Sequence, residues 1–301
     1  MIYQFIQQEE ADFPVRLLCN TLQVSKSSYY EYRAGQTFTP SSVDQQLTKD
    51  IQEIFLEHRR RYGSRRLQKA LLEKGIKIGR HRVRRFMRDE QLSAIQPRSF
   101  VPRTTDSRHG LRACPNLLAE METPIRPDQA WVGDITYLPL ANGKWAYLAS
   151  WLDLFSRRIV GWCVDIVMDE SLIIRAFEQA VVVRNPRAGL IVHSDQGGQY
   201  FSKQFRKRLA KWQCKQSMAE KDNPYQNAYA ESLWSRLKAE LLEGGCFENL
   251  EDAHLELFNY IDGYYNNQRL HSAIGYQSPI NFEKQYYQAN FNKTLNSNVS
   301  G

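Results

Sequence analysis

No run of about 18 apolar residues occurs anywhere in the sequence, so no segment of it reads as a membrane-spanning helix. The opening residues, MIYQFIQQEE, lack a basic start and a long apolar stretch, so no secretory signal is expected. Cysteine is sparse: five in 301 residues, at 19, 114, 163, 214 and 246, with no CxxC pair. An odd, scattered set excludes a disulfide framework and a zinc knuckle, and fits a reducing cytosol. Sustained heptads are also missing, which excludes a long coiled coil.

Acidic residues are scarce in one part only. Residues 1–112 hold 21 Lys and Arg against 12 Asp and Glu, whereas residues 113–301 hold 19 against 21. The net charge of +7 therefore belongs to the N-terminal third. A basic domain on a slightly acidic remainder points to a polyanion partner, most often nucleic acid.

Residues 13–34 read as a short helix, a break and a second short helix, a shape that suits a small helix-turn-helix. Val15, Leu18 and Cys19 fall at helical spacing; Ser25 stands where it can cap the second helix, which contains Tyr29 and Tyr30. Residues 47–93 read as three helices with apolar stripes Ile51/Ile54/Phe55, Leu67/Ala70/Leu71 and Val83/Phe86/Met87, and with Gly63 and Gly79 at the turns. The third helix carries Arg80, Arg82, Arg84, Arg85 and Arg88; Arg80, Arg84 and Arg88 fall on its outward face. Arg59, Arg60, Arg61, Arg65 and Arg66 crowd the first turn. Exposed arginines on a helix suit phosphate and base-edge contacts, so this unit is expected to bind double-stranded DNA.

Five prolines between 94 and 128 give that stretch linker composition. Beyond it the pattern changes. Residues 130–138, 145–151, 158–166 and 189–193 read as strands, and 170–184 and 202–212 as helices, the first with Leu172, Ile173, Ala176 and Ala180 on one side. Three strands in succession, then helix, strand and helix, describe a mixed α/β sheet.

Two of these strands deliver an acid. Asp134 stands inside the first, where Asp is disfavoured, with Val132 and Thr136 as same-face neighbours. Asp195 ends a later one, and Gly197 and Gly198 then let the backbone turn sharply. A third acid, Glu231, lies on the amphipathic helix 226–242, whose apolar stripe is Ala230, Leu233, Trp234, Leu237 and Leu241. Its opposing stripe is Asn227, Glu231, Ser235 and Lys238, with Lys238 two turns from Glu231 on one face. Close carboxylates repel unless a cation lies between them, and hard oxygen ligands suit Mg²⁺ or Mn²⁺. Three acids holding two such ions would clamp the attacking and leaving oxygens of a phosphodiester. Each acid alone is more often a turn former or a solvated residue; the combination carries the reading.

WVGDITYL, HSDQGGQY and NAYAESLWSRLKAE resemble the three signature blocks of the DDE catalytic domain of bacterial IS3-family insertion-sequence transposases, a domain similar to retroviral integrase cores. Residues Gln196 to Ala230 leave 35 between the second acid and the glutamate, which matches the family's D-35-E spacing. YYNNQRLHSAIGYQSP, residues 264–279, resembles the family's C-terminal block, and RRRYGSRRL, from Arg59, resembles its basic upstream domain. The resemblance implies an RNase H-like α/β core with a mixed five-stranded sheet flanked by helices, preceded by small all-α helix-turn-helix-type domains. It implies Asp134, Asp195 and Glu231 as catalytic metal ligands for two Mg²⁺ or Mn²⁺ ions, with Lys238 touching DNA. It implies metal-dependent 3′-end cleavage and strand transfer on the element's terminal inverted repeats and target DNA. A homo-oligomer of two or more subunits is expected on that DNA. The second-frame product of such elements is often fused to an upstream frame; this chain, starting at its own Met1 without heptads, is expected to lack that part and to partner it. A bacterial cytoplasmic, nucleoid-associated location is expected. A same-fold nuclease that cuts without joining, and a DNA-binding regulator with a vestigial triad, are the alternatives.

The expected division is a helix-turn-helix-like segment over 1–40, a basic three-helix domain over 41–93 and a linker over 94–128. A catalytic core over 129–245, its C-terminal helical part over 246–288 and a disordered tail over 289–301 follow. Two positions depart from the family pattern. Gln226 stands where Asp is frequent, and Gly133 where Thr is frequent, Gly and Thr both suiting the strand. His193 is expected to be packed, and Trp131 and Trp234 to be core. The loop of Gln196, Gly197, Gly198 and Tyr200 either faces DNA or is simple turn chemistry. Asn267, Arg269 and His271 are placed either to hold DNA or to bind the core.

Overall fold

The computed structural model describes residues 2–35, 42–96, 113–220 and 228–299, with the side chains of 228–231 and 293–299 outside the description. It divides into two compact units, Met1–Ser93 and Ala94–Gly301.

The first unit is all helical. Helices α1 (Ile2–Glu9), α2 (Val15–Thr21) and α3 (Lys26–Arg33) enclose a small core of Ile6, Leu18, Cys19 and Tyr29. Helix α1 has no counterpart in the sequence reading. Ser25 stands at the N-cap of α3 with extended backbone, yet its side chain makes no capping bond. Tyr29 is buried and donates to Glu10. Helices α4 (Ser42–Glu57), α5 (Ser64–Glu73) and α6 (Arg80–Asp89) follow, and all three expected apolar stripes are buried.

The second unit is built on a five-stranded sheet in the order β3-β2-β1-β4-β5. Strands β1 (Ala130–Pro139), β2 (Trp145–Asp153) and β3 (Ile159–Asp165) form an antiparallel meander. The β1–β2 turn uses Gly143 at φ +74°, with Asn142 accepting from the Lys144 amide. Helix α7 (Glu170–Arg184), capped by Asp169, then crosses over the sheet. It returns the chain to β4 (Ile191–Ser194), which runs parallel to β1. Helix α8 (Lys203–Lys211) leads to β5 (Lys215–Met218), parallel to β4. The main core lies between the sheet and α7 and α8, where Trp131, Trp151, Phe177, Tyr200 and Phe205 interlock.

Two glycines are required by this packing. A Cβ on Gly161 of β3 would lie 2.3 Å from the Ala176 carbonyl of α7, so the helix approaches only because the side chain is absent. Gly133 sits directly across from Trp151 on β2, and a Cβ there would meet the indole ring at 2.3 Å. Threonine at 133 is therefore not an equivalent choice here, against the expectation from sequence.

Residues 113–128 are less of a linker than their prolines suggest. The Leu117 amide donates to Ser217, Cys114 contacts Gln216, and Leu118 and Met121 pack beneath Ala130 and Val132. After β5, helix α9 (Ala228–Leu242) packs on β1. The chain then returns to β1's end, where the Phe247 amide bonds Pro139 and its carbonyl accepts from Ala141. Helix α10 (Leu250–Phe258) runs into a π-helical turn, Asn259–Tyr265. Helix α11 (Pro279–Val299) closes the chain, helical where a disordered tail was expected. Among the described residues no helix is long and apolar enough to cross a membrane.

Candidate active site

Strands β1 and β4 pair in parallel, with Val132 opposite His193 as the last matched pair. Two residues further along the chain from each stand Asp134, inside β1, and Asp195, one residue past the end of β4; the two strands are spaced about 4.8 Å apart. Asp134 shares the face of Val132 within β1, and Asp195 is the first residue beyond β4. Two acids 61 positions apart in sequence thus become neighbours at the sheet's centre. Both are half-buried, whereas Val132 and Thr136 on the same face as Asp134 are buried.

Local bonds aim each carboxylate. Asp134 Oδ1 accepts the Ile135 amide at 2.8 Å. Asp195 Oδ1 accepts the Gly197 amide at 3.0 Å, and its own carbonyl accepts from the Ser194 hydroxyl. The fully buried Tyr200 phenol is pushed well above its ordinary value by burial and then by the charges of Asp195 and Asp134.

Helix α9 covers this face of β1. Lys238 is half-buried there; burial lowers its pKa and Asp134 opposes that shift, so its ammonium lies within the field of that carboxylate. Leu233, Trp234 and Leu237 are buried, while Ser235 is exposed. The backbone of Glu231 is helical, one face with Lys238, but its side chain lies outside the described residues, as do Gln226 and Asn227. Two aspartates are therefore brought together in the structure, and the third acid is placed only by its backbone. The donor set is hard carboxylate oxygen, which fits Mg²⁺ or Mn²⁺.

Residues 124–224 match the integrase core domain model, residues 212–279 a second integrase core domain model, and residues 42–100 the HTH-like domain model. The chain is 37% identical over 271 residues to the insertion element IS600 uncharacterized 31 kDa protein of Shigella sonnei, covering 90% of this chain and 99% of that one. It is 34% identical over 287 residues to transposase InsF for insertion sequence IS3A of Escherichia coli K12, covering 95% and 99%. The chain belongs to the IS3-family insertion-sequence transposases. They are enzymes, and their catalytic unit is an integrase-type core. Among solved structures, the HTLV-2 integrase catalytic core domain in complex with magnesium is 18% identical, with a TM-score of 0.40, over 53% of this chain and 98% of that one.

Other residues of this transposase divide between surface and scaffold. Arg80, Arg84, Arg85 and Arg88 of α6 are exposed, as is Arg65. Arg82 instead pairs with Asp44 of α4, and Arg66 bonds the Arg61 carbonyl and lies over the Tyr62 ring. Arg61 itself is buried. Arg61 serves the helical packing, whereas Arg82 is exposed and Arg66 half-buried beside their partners. His193 is buried, as expected, with Nδ1 2.8 Å from the Ser217 hydroxyl. Trp131 and Trp234 are core.

In the QGGQY loop, Tyr200 faces the core; Gln196 donates to the Ala219 carbonyl and Gln199 to the Met168 carbonyl, which tie the loop to the rest of the unit. Arg269 is 1% exposed and bonds Glu240 of α9 through Nε and Nη2. It belongs to the scaffold. Glu240 was missed in the sequence; an acid three residues after Leu237, on the apolar side of α9, was the available signal.

Proposed function

We propose that this transposase cuts and joins DNA at the ends of its element, and that Asp134, Asp195 and Glu231 form the metal-holding triad. The observation that carries this reading is that Asp134, inside β1, and Asp195, just past the end of β4, each follow by two positions the paired residues Val132 and His193 of these parallel strands. Magnesium or manganese ions, when bound, would activate the attacking oxygen and neutralise the leaving one. The carboxylates of Asp134 and Asp195 would hold the ions on one side, and Glu231, on α9, would complete the set. Lys238, on the same face of α9, would take a phosphate oxygen of the strand being cut. Hydrolysis at the element's end frees a 3′-hydroxyl, and that hydroxyl attacks a second phosphate in strand transfer. No covalent protein–DNA link is needed, since both attacking oxygens come from water or DNA. The exposed arginines Arg65, Arg80, Arg84, Arg85 and Arg88 would grip the terminal repeats. Pairing two ends calls for at least two subunits, with the upstream-frame protein as a further partner. A nucleoid-associated, cytoplasmic location follows from that substrate.

The test is incubation with labelled terminal DNA and Mg²⁺ or Mn²⁺, with and without the upstream-frame protein. Joined products support the proposal. Cutting without joining indicates a nuclease, and binding without cutting a regulator. Asp195→Asn should bind DNA as tightly as the parent and yield no cleaved product; full cleavage by that variant removes Asp195 from the triad.

A further inference from the structure

On the side of α9 away from the acids lies a charged cluster that the chemistry does not use. Glu240 is 7% exposed and Arg269 1% exposed. Arg269 Nε is 2.9 Å from Glu240 Oε2, Nη2 bonds Oε1, and the buried Tyr260 hydroxyl donates to Oε2 at 2.8 Å. Tyr260 belongs to the π-helical turn after α10. That turn is pinned to β3 by Asn266, whose side chain makes both bonds to the Ile159 backbone at 3.0 Å. The sheet, the π-turn and the back of α9 are thereby joined by directional bonds.

Burying such an ion pair is a poor way to gain stability, because desolvation of both charges offsets most of their attraction. What it gives is geometry. The buried apolar residues of α9 include Leu233, Trp234 and Leu237, and apolar contacts tolerate a helix turning or sliding. A two-point guanidinium–carboxylate bond does not. Glu240 follows Glu231 by nine residues, two and a half turns, so the two lie on opposite faces of α9, about 13 Å apart along its axis. Lys238 shares the front face with Glu231 and lies within the field of the Asp134 carboxylate. Fixing the back of the helix therefore fixes which way the front points.

We infer that Arg269, Glu240 and Tyr260 form a clamp that sets the rotation of α9 and so decides how well Glu231 meets Asp134 and Asp195. They are positioning residues, and the inference rests on the proposed triad. The test uses the full chain in four variants: Arg269→Met with Glu240→Leu, Arg269→Lys, Tyr260→Phe, and Glu231→Gln as a control. Mn²⁺ binding is titrated by electron paramagnetic resonance. DNA binding is measured in EDTA, the thermal midpoint is recorded, and cleavage is followed against Mg²⁺ concentration.

The apolar double variant should keep its fold and DNA affinity yet bind Mn²⁺ about 10-fold or more weakly, with half-maximal cleavage at correspondingly higher Mg²⁺. Arg269→Lys, which keeps the charge but loses the two-point bond, and Tyr260→Phe should show smaller losses of the same kind. A folded double variant with unchanged Mn²⁺ binding overturns the clamp. If the double variant does not fold, unchanged Mn²⁺ binding in both Arg269→Lys and Tyr260→Phe overturns it instead. Glu231→Gln separates the two ideas. If it binds metal and cleaves like the parent, the triad is wrong; if it loses both while the clamp variants match the parent, only the clamp is wrong.

Discussion

Gly133 carries no chemistry, yet it stands one residue before an acid of the proposed triad. Its missing side chain makes room for the Trp151 indole, which stacks on Phe205 and meets Phe177 and Tyr200 edge-on. Gly133→Thr should destabilise the fold by about 2 kcal/mol or more through overpacking. Most of that loss should return when Trp151 is cut to Leu in the same chain. Chemical denaturation of the two single variants and the double measures the coupling; additive effects would mean that the indole is not the obstacle. Sequence alone read Gly133 as interchangeable with Thr. A strand pattern gives the face a residue takes, not the size of the ring on the neighbouring strand.

Helix α11 is held to the sheet unit by charge at the element scale. Glu283, nearly buried, bonds Arg184 of α7 through both oxygens and Arg158 at the start of β3 at 2.8 Å, while Arg184 also bonds Asp128. Burial is the largest single influence and opposes ionisation of Glu283, but the bonds and charges of Arg184 and Arg158 together outweigh it and hold the pKa below its ordinary 4.5. A folded value below the unfolded one gives stability that is present above about pH 4.5 and is lost as pH falls through the folded value. Glu283→Gln should therefore cost about 3 kcal/mol at pH 7, because Arg158 loses its partner and Arg184 keeps only Asp128. The gap between variant and parent should narrow as pH drops below 4.5. Urea unfolding across that range reads both effects, and a gap that stays constant with pH would contradict the assignment.

The same element shows where sequence reading stops. Helix α11 alternates polar and aromatic residues without a clear stripe, so its end read as a tail. Strand β5, Lys-Gln-Ser-Met, is four residues with little β-forming character and exists because it pairs with β4. By contrast β1 to β3, α7 and the stripes of α4 to α6 were legible, because burial there follows a regular period.

For the whole molecule, charge is divided along the chain, and so are the two parts of the work proposed for it. If the exposed arginines of α6 meet phosphates, Arg80, Arg84 and Arg88 changed together to Ala should flatten the dependence of log K on log salt. The slope should fall by roughly 0.9 for each phosphate that the variant no longer neutralises. Fluorescence anisotropy over a salt series measures the slope, and an unchanged slope would place DNA elsewhere. The acids proposed for the triad stand out in the sequence through motif and spacing. The clamp behind α9 was not, since nothing in the sequence joins Glu240 to Arg269, 29 residues later.

The parallel pairing of β1 with β4 has a temporal side. Asp134 and Asp195 meet only after the intervening hairpin and the α7 crossover have been synthesised and folded, and α9 comes later still. The basic helices of the first unit leave the ribosome long before that. A chain stopped between α6 and β1 would carry the arginines without any of the three acids and, if those arginines hold the terminal repeats as proposed, would compete with the finished protein for them.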